Sequence, residues 1–157
     1  MLATILFTDI VGSTQMAQQC GDQAWKILLD QHDKVCSEAT ERYRGRLVNH
    51  TGDGVMATFD GPGRGIACAK EIVEKASGLG LDIRCGLHTG ECELRGDDAA
   101  GVAVHLASRV STMAGPGDVL VSRTVRDLVS GSGVVFEDRG EHVLKGFSEK
   151  WRLYAAT

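Results

Sequence analysis

The chain has 157 residues, 43% of them hydrophobic and 24% charged, with a net charge of −4. That is enough for one domain with a real core, and the acidic balance disfavours non-specific nucleic-acid binding. No apolar run reaches transmembrane length and no basic segment precedes an apolar one, so a cytoplasmic protein that does not bind membranes is expected.

The five cysteines (Cys20, Cys36, Cys68, Cys85 and Cys92) are odd in number and form no C-x-x-C pair. Reduced, mostly buried thiols are expected rather than disulfides or a zinc site. Twenty glycines against two prolines point to many tight turns. No internal repeat or linker divides the chain, and residues 1–157 read as one domain.

The run from Thr4 to Thr14 begins as an apolar, β-branched strand. Asp9 interrupts it, and a carboxylate on a buried strand is costly unless it is paired or bound to a cation. Gly12 follows, then Ser13 and Thr14, which are suited to cap a helix. A strand running into a helix N-terminus offers backbone N–H groups to an anion.

A helical region then spans about Ser13 to Arg44, with a break and a second cap at Gly21-Asp22. Trp25, Leu28, Leu29, His32, Cys36, Ala39 and Tyr43 recur at helical spacing and read as a core-facing stripe. Two strands, Arg46–His50 and Val55–Phe59, flank Thr51-Gly52-Asp53-Gly54, a hairpin signal that carries a second carboxylate. After the turn Asp60–Gly63 comes a helix to about Ser77, facing inward through Ile66, Ala69, Ile72, Val73 and Ala76.

Leu81 to Glu93 reads as one long strand in which His88 is a hydrogen-bonded strand histidine rather than a metal ligand. Arg95-Gly96-Asp97-Asp98 reads as a polar loop. The next helix starts near Ala100 and shows an apolar face of Val102, Leu106, Val110 and Met113. His105 and Arg109 stand four apart and project from one neighbouring face. Val119–Ser122 is a short strand, Thr124 caps a short helix, and Val134–Phe136, Glu141–Leu144 and Trp151–Tyr154 are further strands. The order fits an α/β (α+β) fold: a ferredoxin-like βαββαβ core sheet with helices on one face and a small C-terminal αβ extension.

Phe7-Thr8-Asp9-Ile10-Val11-Gly12-Ser13-Thr14, Thr51-Gly52-Asp53-Gly54, Gly86-Leu87-His88-Thr89-Gly90-Glu91, the segment from Gly101 to Arg109, and Leu144-Lys145-Gly146 together resemble the class III nucleotide cyclase catalytic domain. The resemblance spans nearly the whole chain. The short loop between Glu93 and Gly101 is similar to that of the bacterial branch with a reduced dimerisation arm.

The resemblance implies a head-to-tail homodimer with active sites at the interface. It implies that Asp9 and Asp53, with the Ile10 carbonyl, hold two divalent cations, Mg²⁺ or Mn²⁺, for which oxygen ligands are suited. Backbone N–H groups from Val11, Gly12, Ser13 and Thr14 would receive phosphate oxygens. Asn49 and Asp98 occupy the purine-reading positions, Arg109 that of the transition-state arginine, and Lys145 that of the polyphosphate-binding lysine.

Two positions depart from the family pattern. Asn49 replaces the usual adenine-reading lysine, and His105 replaces the ribose-orienting asparagine. The expected activity is that of an adenylyl cyclase converting ATP to 3′,5′-cyclic AMP and pyrophosphate. The alternatives are a guanylyl or dual-specificity cyclase and a non-catalytic nucleotide-binding regulatory module. A regulatory domain outside this chain is compatible with either. A polymerase-like palm acting on nucleic acid is disfavoured by the acidic balance and the lack of a basic groove.

Overall fold

The computed structural model describes residues 1–96 and 98–157. Its elements in chain order begin β1 (Leu2–Ile10), α1 (Ser13–Cys20), α2 (Asp22–Arg42), β2 (Arg46–His50), β3 (Gly54–Phe59), α3 (Pro62–Gly78) and β4 (Ile83–Glu91). They continue β5 (Glu93–Arg95), β6 (Asp98–Ala100), α4 (Val102–Thr112), β7 (Val119–Ser122), α5 (Arg123–Leu128), β8 (Phe136–Val143) and β9 (Lys150–Ala156). A seven-stranded sheet runs in the order β2-β3-β1-β4-β7-β9-β8, with β5 and β6 as a separate hairpin. The β2-β3-β1-β4 half is the ferredoxin-like core that the element order predicts.

β1 runs antiparallel between β3 and β4, and its side chains alternate between two cores. Leu6 and Ile10 join Cys36 and Ala39 of α2 and Ile66, Ala69 and Ile72 of α3 in one buried cluster. Ala3 and Ile5 join Ala103 and Ala107 of α4 in another. The core helices α2 and α3 therefore cover one face of the sheet. α4, beyond the core, crosses to the other face, as the parallel β4–β7 pairing requires a crossover. Asp9 has the same parity as Ile5 and so lies on the α4 side.

α4 sits very close to β4, and two glycines of the Gly86–Glu91 motif make this possible. A Cβ on Gly86 would lie 2.2 Å from the Ser111 backbone nitrogen, and one on Gly90 would lie 2.8 Å from the Ala103 Cβ. That approach selects small residues where α4 meets these glycines, Ala103 and Ser111, on a buried face that also includes Leu106, Ala107 and Val110. The expected face of Val102, Leu106, Val110 and Met113 is thus rotated. Leu106 and Val110 are buried, while Val102 is 70% exposed and Met113 is also exposed.

Other expectations shift locally. The Gly21 break is present, but Gly21 itself is the cap residue and Asp22 opens α2 without a side-chain cap. The long strand ends at Glu91, and the predicted polar loop contributes β5 and β6, with Arg95 paired opposite Asp98. Asp97 lies outside the described residues. Val134–Phe136 and Glu141–Leu144 are not two strands: one strand, β8, runs through, with an irregular register between Asp138 and Glu141 that absorbs the turn-like sequence. Ser122, not Thr124, caps α5, accepting from the Val125 N–H.

The core stripe of α2 is as expected, with His32, Cys36 and Ala39 buried and Trp25, Leu28, Leu29 and Tyr43 packed against them. His88 is the hydrogen-bonded strand histidine, with Nδ1 2.7 Å from the Ser122 hydroxyl. All five cysteines are free, and Cys20 alone is exposed.

Candidate active site

The candidate residues fall into three places. The first lies at the end of the central strand. Asp9 pairs with Gly54 across β3 and with Arg84 across β4. The close seating of β3 is again a glycine requirement, because a Cβ on Gly54 would lie 1.9 Å from the Thr8 carbonyl oxygen. The hairpin turn, closed by the Thr51 N–H donating to the Gly54 carbonyl at 2.9 Å, holds Asp53 beside Asp9.

The two carboxyl groups are close enough to share a hydrogen bond when one of them is protonated. Burial and the bond to Asp53 raise Asp9 above the usual carboxylate range, against the pull of Arg84. Burial also works against the charged form of Asp53, but hydrogen bonds from Asp9 and Ser13 bring it below the usual range. Two carboxylates this close do not both ionise freely, and they titrate as a pair.

Ser13 donates its hydroxyl to the Asp53 carboxylate. It therefore does not cap α1, whose cap position is Gly12 at φ 69°. The Val11 N–H, one of the four expected to receive phosphate oxygens, already donates to the Asp82 carbonyl at 2.8 Å. Ser13, Thr14, Gly52 and Asp53 line a cleft of about 370 Å³ that extends to Trp25 and Leu29. Ile10 follows Asp9 as a buried residue at the strand end.

Arg84 is the residue that sequence reasoning passed over. Its Nη2 and Nε donate to the same Asp9 oxygen, Oδ2, at 2.9 and 3.2 Å. A charged residue inside the apolar alternation of Ile83–Leu87 was the available signal. Its partner emerges only from the strand register.

The second place joins β2 to the small hairpin. Asn49 Nδ2 donates to Asp98 Oδ1 at 3.1 Å, and Oδ1 also accepts the Ala99 N–H at 2.9 Å. The register of β2 against β3 slips between Leu47 and Asn49, and such a bulge re-aims the side chain that follows it.

The third place is a cleft of about 260 Å³ lined by Val102, His105, Arg109, Lys145, Gly146 and Phe147. The i, i+4 spacing on α4 puts His105 and Arg109 side by side. Lys145 stands on a turn closed by the Phe147 N–H donating to the Leu144 carbonyl at 3.0 Å. Gly146 takes the left-handed φ of 88° that the turn needs, and buried Leu144 anchors it. This cleft shares no lining residue with the Asp53 cleft.

Among the described residues no group of three or more His, Cys, Asp or Glu side chains is placed to hold a metal ion. Asp9 and Asp53 nevertheless fit hard divalent cations in part. They are two oxygen donors side by side, and a guanidinium already occupies the cationic position against one of them. The remaining ligands would have to come from backbone carbonyls, water or a bound anion.

With this fold and these three groups, the chain belongs to the adenylate and guanylate cyclase catalytic domain family, whose model it matches over residues 2–156. A Rhizobium meliloti (strain 1021) protein named "Putative adenylate cyclase 3" is 26% identical over 98% of this chain and 28% of its own length. The uncharacterised protein Rv0891c of Mycobacterium tuberculosis (strain ATCC 25618 / H37Rv) is 30% identical over 91% of this chain and 51% of its own length. The chain thus spans about half or less of these relatives.

Among solved structures, the adenylyl cyclase CyaB of P. aeruginosa superposes with a TM-score of 0.89 at 24% identity, covering 99% of this chain and 93% of that one. The guanylate cyclase domain of RhGC from Catenaria anguillulae, solved in complex with GTP, superposes with a TM-score of 0.88 at 22% identity, covering 99% and 96%. Adenylyl and guanylyl cyclases share this fold equally, so the fold does not select the base. No helix among the described residues is long and apolar enough to cross a membrane.

Proposed function

We propose that the chain is the catalytic domain of an adenylyl cyclase, which converts ATP to 3′,5′-cyclic AMP and pyrophosphate at sites shared across a homodimer. The observation that carries this reading is the Asp9–Asp53 carboxylate pair at the end of the central strand. The reaction is an in-line attack of the ribose 3′-oxygen on the α-phosphorus, with pyrophosphate leaving. Divalent cations held by Asp9, Asp53 and the Ile10 carbonyl, Mg²⁺ or Mn²⁺, would supply the positive charge that such a displacement needs.

The chain's own groups do the rest. The N–H groups of Gly12, Ser13 and Thr14 take up phosphate oxygens at the start of α1. Arg109 supplies a planar, permanent charge where negative charge develops, and Lys145 supplies a point charge to the polyphosphate. His105 donates to the ribose ring oxygen. Asn49 keeps a second amide N–H beyond the one given to Asp98, and that N–H donates to adenine N1. The free oxygen of Asp98 accepts from the 6-amino group. Guanine at the same place would turn its O6 toward the Asp98 carboxylate, which is repulsive.

The His105, Arg109 and Lys145 cleft and the Asp53 cleft are separate within one chain. This supports a head-to-tail dimer in which one protomer's carboxylates face its partner's α4 groups. Free thiols are in keeping with work in the cytoplasm. The further length of the relatives is in keeping with regulatory segments outside this chain.

The test is to incubate the purified protein with ATP or GTP and with Mg²⁺ or Mn²⁺, and to separate the products by chromatography. Cyclic AMP from ATP is expected, with little cyclic GMP from GTP. Preferred cyclisation of GTP would overturn the base assignment. Nucleotide binding without any cyclic product would make the domain a regulatory module.

A further inference from the structure

We propose that Arg84 is a built-in competitor for the divalent cation at Asp9. This rests on the reading of Asp9 and Asp53 as cation ligands. Arg84 and Asp9 are directly opposite on adjacent antiparallel strands, so the backbone register itself brings them together. Both guanidinium donors converge on a single oxygen, at 2.9 and 3.2 Å. The two side chains are only 31% and 32% exposed, which limits screening by solvent. The Arg84 Nη1 also reaches the Thr112 carbonyl at 3.4 Å, which steadies the guanidinium from the end of α4.

The charge count gives the consequence. A cation of charge +2 that ligates Asp9 Oδ2 must either displace the guanidinium or sit against it, and both weaken binding. Without a cation, the same guanidinium offsets the repulsion between Asp9 and Asp53 and keeps the empty site stable. Arg84 therefore lowers the affinity of the nucleotide-free chain for free metal ions. Substitution by methionine removes the competing charge while keeping a long apolar stem over the same strand.

The test is Mn²⁺ titration of the nucleotide-free protein, followed by the electron paramagnetic resonance signal of free Mn²⁺. Wild type is compared with Arg84→Met, Arg84→Lys and Asp9→Asn, with folding checked by circular dichroism. Arg84→Met is expected to bind Mn²⁺ roughly fivefold or more tightly than wild type, the scale of losing one part-exposed ion pair. Arg84→Lys, which keeps the charge, is expected to stay near wild type. If Arg84→Met does not fold, Arg84→Gln makes the same comparison.

Equal or weaker binding after loss of the charge overturns the proposal, as does binding undetectable in both wild type and the variant. Asp9→Asn separates the two levels. If Asp9→Asn loses Mn²⁺ while Arg84→Met gains nothing, the competition is wrong and the ligand reading survives. If Asp9→Asn binds as wild type does, the cation is not at Asp9, and both fall.

Discussion

Asn49 on β2 and Asp98 on β6 are hydrogen-bonded across 3.1 Å, the amide donating to the carboxylate. Turning the Asn49 amide over would set its oxygen against the carboxylate, so Asp98 fixes which face of the amide is presented. On the proposed reading, Asp98→Ala removes both an acceptor for the adenine amine and this orientation. The ATP-over-GTP ratio of kcat/KM should fall by a factor corresponding to about 1–3 kcal/mol, the cost of one unsatisfied buried group. Steady-state kinetics with both nucleotides checks it, and an unchanged ratio contradicts it. Asn49→Lys should keep or improve ATP use.

The shared-site proposal is tested by mixing two inactive variants. Asp9→Ala and Arg109→Ala should each be nearly inactive, because each damages both sites of its own dimer. A mixed dimer collects both lesions in one site and leaves the other intact. With random exchange, about a quarter of wild-type activity should return. Differently tagged chains report whether mixed dimers form. Mixed dimers as inactive as the parents would place all the catalytic groups on one chain.

Gly86 is expected to be intolerant of any side chain. A Cβ there meets the Ser111 backbone at 2.2 Å, and a helix backbone cannot rotate aside as a flexible side chain can. Gly86→Ala should lower stability by about 2–4 kcal/mol in urea denaturation. Gly63 in α3 is the control, because a Cβ there meets nothing within 4 Å. Gly63→Ala should be neutral or stabilising by up to about 1 kcal/mol. Equal effects at the two positions would contradict the close seating of α4.

His88 sets an acid limit on stability. Burial at 7% exposure lowers its pKa to about 4. In the unfolded chain the imidazole titrates near its ordinary value of about 6.5, so between these values the unfolded state binds more protons. Stability is therefore complete above about pH 6.5 and falls as pH drops toward about 4, by on the order of 3 kcal/mol. Urea denaturation at a series of pH values measures this slope. His88→Gln, which does not titrate, should flatten it, and an unchanged slope would assign the proton uptake elsewhere.

The thiols should divide one against four. Cys20 is exposed and the other four cysteines are buried. Burial pushes the thiols of Cys36 and Cys68 up to about 12 and raises Cys85 well above its ordinary value, which suppresses the reactive thiolate. In native protein at neutral pH, a thiol-specific chromogenic reagent should modify Cys20 quickly and the others only after denaturation. Fast reaction of a second thiol would show that a buried cluster opens readily.

Local pattern carried much of this protein. The apolar, β-branched run into Asp9, the glycine turn around Asp53, the helical stripe of α2 and the i, i+4 spacing of His105 and Arg109 each depend on residues a few positions apart. The motifs among them, with Gly86–Glu91 and Leu144–Gly146, point to the family, and the element order points to the core topology. What only the tertiary structure decided depends on contacts between residues far apart in the chain. The β1–β4 register sets Arg84 against Asp9, and the turn before β3 draws Ser13 away from capping α1. The Val11 N–H goes to Asp82, and the glycines of β4 let α4 approach until Val102 is turned outward. None of these leaves a periodic trace, because a hydrogen bond or close approach between distant segments is fixed by register and packing, which local periodicity does not contain.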